Sequence, residues 1–202
     1  MKSVLRTVGV AAIIFVVGCG DDNGVNSGNG GGGGSFINPR DGQPYRTVVI
    51  GGKTWMAENL NNVTTNSWCY NNNSSNCNTY GRLYTWDAAR NACPSGWRLP
   101  TRQDWTNLVN AAGGWSVAGH ALKARSPSWD GDDTYGFSAL PGGLRYPAGS
   151  FWHLGGWGFW WSATELDADD AYYVNVGGTG RTYVSEGWLY KNSGLSVRCL
   201  RD

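Results

Sequence analysis

Charge is scarce in this chain of 202 residues. Only 15% of it is Asp, Glu, Lys or Arg, against roughly a quarter of an average globular protein. The 16 Lys and Arg nearly cancel the 15 Asp and Glu, and a net charge of +1 argues against a dedicated nucleic-acid binder, which needs a concentrated basic face. There are only two His. No His-Glu-x-x-His pair, no nucleophile elbow and no phosphate-cradling glycine loop with Lys is present, so catalysis is not expected. No apolar run reaches the roughly 20 residues that a membrane-spanning helix requires. Aromatics are not lacking: at 13%, with all twelve Trp between Trp55 and Trp188, they exclude disorder of the whole chain.

The chain divides into three parts. Residues 1–18 read as a secretory signal, with Lys2 and Arg6 ahead of the apolar run Val8 to Val17, a pattern of positive n-region and short h-region. Val16-Val17-Gly18-Cys19 resembles the bacterial lipoprotein signal, which makes Cys19 the lipid-accepting residue. An ordinary secretory peptide that happens to contain a Cys is the alternative. Removing Lys2 and Arg6 would change the net charge to 14 − 15 = −1. Residues 19–35 hold the run Gly30 to Gly34 and no aromatic residue, the composition of a flexible tether. Asp21-Asp22 resembles the acidic surface-export tags of some Gram-negative lipoproteins. The address is therefore the outer membrane or cell surface, with the periplasmic face as the alternative. Residues 36–202 form one domain.

Within that domain, Arg46 to Ile50 and Lys53 to Met56 flank Gly51-Gly52 and predict a hairpin. Asn59 to Asn78, with nine Asn in twenty residues, predicts turns and no helix. Thr101 with Asp104 makes a capping box ahead of the stripe Trp105, Leu108, Val109, Ala112, which predicts a helix over 102–112. A shorter helix is expected over 86–92. Short aromatic or β-branched pieces follow at 151–152, 159–163, 171–176, 182–184 and 195–200, and these predict antiparallel strands joined by long loops. The fold class is α+β.

Three groups of residues carry possible chemistry. Trp152, His153, Trp157, Phe159, Trp160 and Trp161 are threaded by Gly155, Gly156 and Gly158. Trp160 and Trp161, adjacent on a strand, must face opposite ways, so at least one is core. Trp152 and Trp157 are the candidates for an exposed ligand-binding face, with packing as the alternative. Asp130, Asp132 and Asp133 are weak calcium candidates against solvated turns. Glu165, Asp167, Asp169 and Asp170 could offer a carboxylate pair for glycan hydrolysis, though nothing selects one pair. No cofactor is implied. Cys69, Cys77, Cys93 and Cys199 remain besides Cys19 and admit three disulfide pairings; zinc is disfavoured by their spacing.

The order Gly81-Arg-Leu-Tyr-Thr-Trp86, Cys93-Pro94, Gly96-Trp-Arg-Leu-Pro-Thr101, Asp104-Trp105, Gly136-Phe-Ser-Ala-Leu-Pro-Gly-Gly143, Trp160-Trp-Ser-Ala-Thr-Glu165 and Ser196-Val-Arg-Cys-Leu-Arg-Asp202 resembles the Fibrobacter succinogenes major paralogous domain family. The resemblance covers roughly residues 41–202 and implies a module of exported proteins. Trp86-Asp-Ala-Ala89 with Cys93, Gly96 and Leu99 also resembles the opening of a C-type lectin-like domain, two helices packed on antiparallel sheet. Arg98 to Thr101 with Trp105 is similar to the formylglycine-generating-enzyme branch, whose paired late cysteines are absent here. The Glu-Pro-Asn, Gln-Pro-Asp and Trp-Asn-Asp calcium motifs of sugar-binding lectins are absent too. The lectin-like pattern implies the pairings Cys69–Cys77 and Cys93–Cys199. The expected protein is a lipid-anchored envelope protein with one binding or adhesion module for polysaccharide or protein and no nucleic-acid partner. A purely structural envelope protein is the alternative.

Overall fold

The computed structural model describes residues 33–126, 128–178 and 180–202. The signal segment, Cys19 and the tether as far as residue 32 lie outside the described residues. The chain runs β1 (Ser35–Ile37), β2 (Pro44–Ile50), β3 (Lys53–Met56), β4 (Ser67–Trp68), a 3-10 turn (Tyr70–Asn72), α1 (Ser74–Tyr80), β5 (Leu83–Tyr84), α2 (Trp86–Ala92), α3 (Arg102–Ala111) and α4 (Ala118–Leu122). It continues through β6 (Leu144–Arg145), β7 (Phe151–Trp152), β8 (Trp157–Glu165), β9 (Asp170–Gly177), β10 (Val184–Tyr190) and β11 (Leu200–Arg201). The fold is α+β, with every strand pair antiparallel.

Local chemistry explains the elements that the sequence announces. Gly51 and Gly52 both take positive φ, 61° and 77°, as a tight two-residue hairpin turn demands; they set Ile50 opposite Lys53. Thr85 caps α2 by accepting from the Ala88 N–H. Thr101 and Asp104 form a reciprocal capping box on α3. Burial alone would raise the Asp104 carboxyl, but bonds from Arg98, the Thr101 hydroxyl and the Thr101 N–H outweigh it and hold the group at about 2.

Four differences from expectation stand out. Among the described residues there are four α-helices where two were expected. Residues 74–80 are helical despite their Asn content. Asn66, Asn71 and Asn72 do take left-handed turn conformations. Asn73, however, caps α1 by accepting from the Ser75 N–H at 3.0 Å, and Cys77 within α1 is tied to Cys69. The late strand β10 runs from 184 to 190, where only 182–184 was expected. Last, residues 193–200 are buried throughout but do not make one long strand.

That buried segment is instead a central seam. Leu195 bonds Tyr84, Ser196 bonds Phe159 and Trp161, Val197 accepts from Leu60, Cys199 accepts from Met56, and Leu200 bonds Arg98. Arg198 within it is wholly enclosed. Its guanidinium donates to Asn59 Oδ1 at 2.8 Å, to the carbonyls of Met56 and Ser138 at 3.1 and 2.7 Å, and to that of Phe137. Burial away from any bonded carboxylate pushes this group down to about 9.

The strand order β10-β9-β8 makes a three-stranded sheet, and β1-β2-β3-β11 a four-stranded one. Trp160 and Trp161 leave β8 on opposite sides and both are buried, in two separate clusters. Trp160 joins Trp55, Trp105 and Val174 under α3. Trp161 joins Trp86, Ala89 and Val197 under α2. Disulfides join Cys69 to Cys77 and Cys93 to Cys199, the latter across a sequence separation of 106. Among the described residues no helix is long and apolar enough to cross a membrane.

Candidate functional site: an aromatic strip between two polar clefts

One face of the three-stranded sheet is covered at one end and bare at the other. Register places Trp160, Val174 and Glu186 in one cross-strand row, Val176 opposite Val184, Tyr172 opposite Trp188, and Asp170 opposite Tyr190. Helix α3 lays Trp105, Leu108 and Val109 over Trp160, Val174, Val176 and Val184. The helix starts at Arg102, and what lies beyond its first turn is left uncovered. Trp188 and Tyr190 are 61% and 58% exposed, and Leu166 in the adjoining turn is 40% exposed.

Arg102 marks the edge of the cover. Its guanidinium lies 4.5 Å over the Tyr172 ring and pairs in a fork with the Glu186 carboxylate. This bond lowers the Glu186 carboxyl below its ordinary value. On the opposite face Tyr173 lies across Gly187, so tightly that a Cβ at 187 would sit 2.7 Å from the phenol oxygen. That glycine lets the strand carry Trp188 outward while Tyr173 packs inward.

Two clefts flank the strip. The larger, about 450 Å³, is lined by Asn66, Thr85, Asp87, Ala168, Asp169, Tyr190, Lys191 and Asn192. Its walls are held by backbone bonds from Thr85 N–H to Asn66 and from Trp86 N–H to Lys191. Lys191 bonds the Glu165 carboxylate and the carbonyls of Asp167 and Ala168 at 2.6 and 2.8 Å. Its charge is thus committed to the β8–β9 turn. The second cleft, about 350 Å³, is lined by Thr101, Arg102, Gln103, Thr106 and Thr164.

The residues singled out from sequence are dispersed. Trp152 is 55% exposed, on β7 opposite Leu144. Trp157 is not in a loop: it is the first residue of β8 and half-buried. Arg181 covers it at 4.8 Å, and Phe159 stacks against it with ring centres 6.2 Å apart. No ring contact joins Trp152 to Trp157 among the described residues.

Of the calcium candidates, Asp130 and Asp132 both face His120, at 4.0 and 3.2 Å, while Asp133 turns to Ser138. Asp130 accepts from Gly180 N–H, Asp132 from Thr134, and Asp133 from the Ser138 N–H and hydroxyl. Among the described residues no group of three His, Cys, Asp or Glu is placed to hold a metal ion. Asp167 accepts from the N–H groups of Asp169 and Asp170, both at 2.9 Å. These backbone bonds lower its carboxyl. Glu165 pairs with Lys191, so both acids hold the hairpin turn together.

Tyr172, Trp188 and Tyr190 were missed from sequence. The available signal was the run Val-Ser-Glu-Gly-Trp-Leu-Tyr at 184–190, whose alternation is interrupted by Gly187.

The model of the Fibrobacter succinogenes major domain matches residues 48–201, so the chain belongs to that family. No curated protein and no solved structure matches the chain.

Proposed function

We propose that this member of the family is an exported, lipid-anchored envelope protein whose domain is a C-type lectin-like binding or adhesion module. The ligand is a polysaccharide or a protein, held at the outer membrane or cell surface by Cys19 and the tether. One observation carries the reading: large aromatic rings, Trp152, Trp188 and Tyr190, stand exposed on a domain that has ample core to bury them. Exposed rings of this size without use invite association, and aromatic side chains dominate recognition hot spots. The lectin-like architecture is supported by Cys93 at the end of α2 bonding Cys199 beside the last strand, and by β11 pairing back onto β3. Trp152 forms one part of the binding face.

Full-length protein in detergent, screened on a glycan array and in pull-downs against envelope and extracellular proteins, tests this. A saturable ligand lost in the Trp152→Ala or Trp188→Ala variant, with unchanged melting temperature, is the expected result. Absence of any ligand in both screens would leave the second reading, a structural envelope protein. The wholly buried seam with Arg198 and the two disulfides favour that alternative.

A further inference from the structure

We infer that the bare end of β10 and its two flanking clefts form a track for a linear, uncharged polysaccharide. This rests on the reading of the domain as a binding module, and names a site and a ligand class for it. Trp188 and Tyr190 lie two residues apart on one side of the strand, which spaces them by about 7 Å. Tyr172 lies opposite Trp188 on the neighbouring strand, about 5 Å away. Trp188 and Tyr190 thus follow the strand, and Tyr172, half-buried under Arg102, lies across from Trp188, so the three rings form an L. Arg102 over Tyr172 leads at one end into the cleft of Gln103, Thr106 and Thr164. Tyr190 itself forms a wall of the cleft of Asn66, Asp87, Asp169 and Asn192 at the other.

Aromatic faces pack on the apolar faces of sugar rings. Amides, hydroxyls and carboxylates match the ring hydroxyls, which both donate and accept. A protein partner wants a contiguous apolar core within about 800 Å² per side; here the rings form a narrow strip bounded on both ends by polar clefts. The charge pattern selects further. Each cleft has one lining cation, and neither is free: Arg102 is forked onto Glu186, and Lys191 onto Glu165 and two turn carbonyls. Asp87 and Asp169 stand in the larger cleft, so a polymer of uronic acids meets like charge with no counter-charge to offset it.

The test is affinity electrophoresis and titration calorimetry on the full-length, detergent-solubilised protein. The probes are soluble glucans, xylans and mannans, with a polyuronate as the charged arm. Trp188→Ala and Tyr190→Ala should each weaken binding of an uncharged polymer about tenfold or more, as hot-spot aromatics do, while the melting temperature stays put. The polyuronate should bind at least tenfold more weakly than the uncharged polymer (about 1.4 kcal/mol). Wild-type affinity in both variants overturns the track; if Trp152→Ala abolishes binding instead, the module reading survives without it. Capture of a protein or the polyuronate, with no uncharged polymer bound, overturns the ligand class alone. Failure to bind any of these probes overturns both.

Discussion

The same sheet face is core at one end and surface at the other. Trp160 and Trp188 belong to the same three strands and project on the same side, yet one is 1% exposed and the other 61%. Composition does not separate them, since both are Trp in aromatic-rich strands. What separates them is where α3 begins. Its capping box fixes the first turn at Thr101–Asp104, and Arg102 clips that turn to Glu186 across the face. Everything past the clip is open. An exposed aromatic strip can therefore be made by stopping a cover short, without building a special loop.

Breaking the covalent frame beneath both ends should have the largest effect. Removing Cys93–Cys199 as a pair of Ser should cost about 5 kcal/mol in the chain-entropy model, against roughly 2.5 for Cys69–Cys77, whose loop is far shorter. Urea midpoints of the two double variants check the ratio. Next, Trp160→Ala should destabilise the domain by about 3–5 kcal/mol, because it empties the cluster under α3 and removes one of the two donors, with Arg198, that the side-chain carbonyl of Asn59 accepts from. Equal urea midpoints for Trp160→Ala and Trp188→Ala would erase the distinction between the ends.

The hold of α3 is testable by acid. The Asp104 carboxyl sits at about 2 in the fold, below its ordinary 3.8. A depressed folded value means that its contribution is complete above the ordinary value and is lost as pH falls from about 4 toward 2; it amounts to about 2 kcal/mol. Asp104→Asn should be less stable at neutral pH and should lose that part of the acid slope, read from melting temperatures across the range. Smaller still, Gly187→Ala should cost no more than about 1 kcal/mol, because the added Cβ meets only the tip of the half-buried Tyr173 side chain, which can swing aside. Trp188→Ala should stay within about 0.5 kcal/mol of wild type, leaving ligand affinity as its only large readout.

Legibility followed the range of the forces involved. The helices at 86–92 and 102–111 and the hairpin at Gly51-Gly52 are written in caps, a buried stripe and turn residues, all within a few positions of one another. Helix α4 is only five residues long, too short for periodicity to register. It is held by Gly119, which donates to Thr182 and leaves no room for a Cβ against the 182–183 backbone. The candidate site was half legible. Gly-rich surroundings pointed to an exposed Trp152, but Trp157 lies under Arg181, a residue 24 positions away in sequence. Trp188 and Tyr190 went unread because a glycine and a glutamate break the apolar pattern of β10. Both are there for partners elsewhere, Tyr173 and Arg102.

By itself, then, the order of residues determined the family, the α+β class and those elements whose stabilising contacts are local, because caps, turns and alternation act through neighbours in the chain. It also determined that Trp160 and Trp161 must part company, since successive strand residues face opposite ways. Only the tertiary structure decided which aromatic rings reach solvent. Burial depends on what another segment lays across a face, and here that is set by the point where α3 starts and by the register of three consecutive strands that lie far from α3 in sequence.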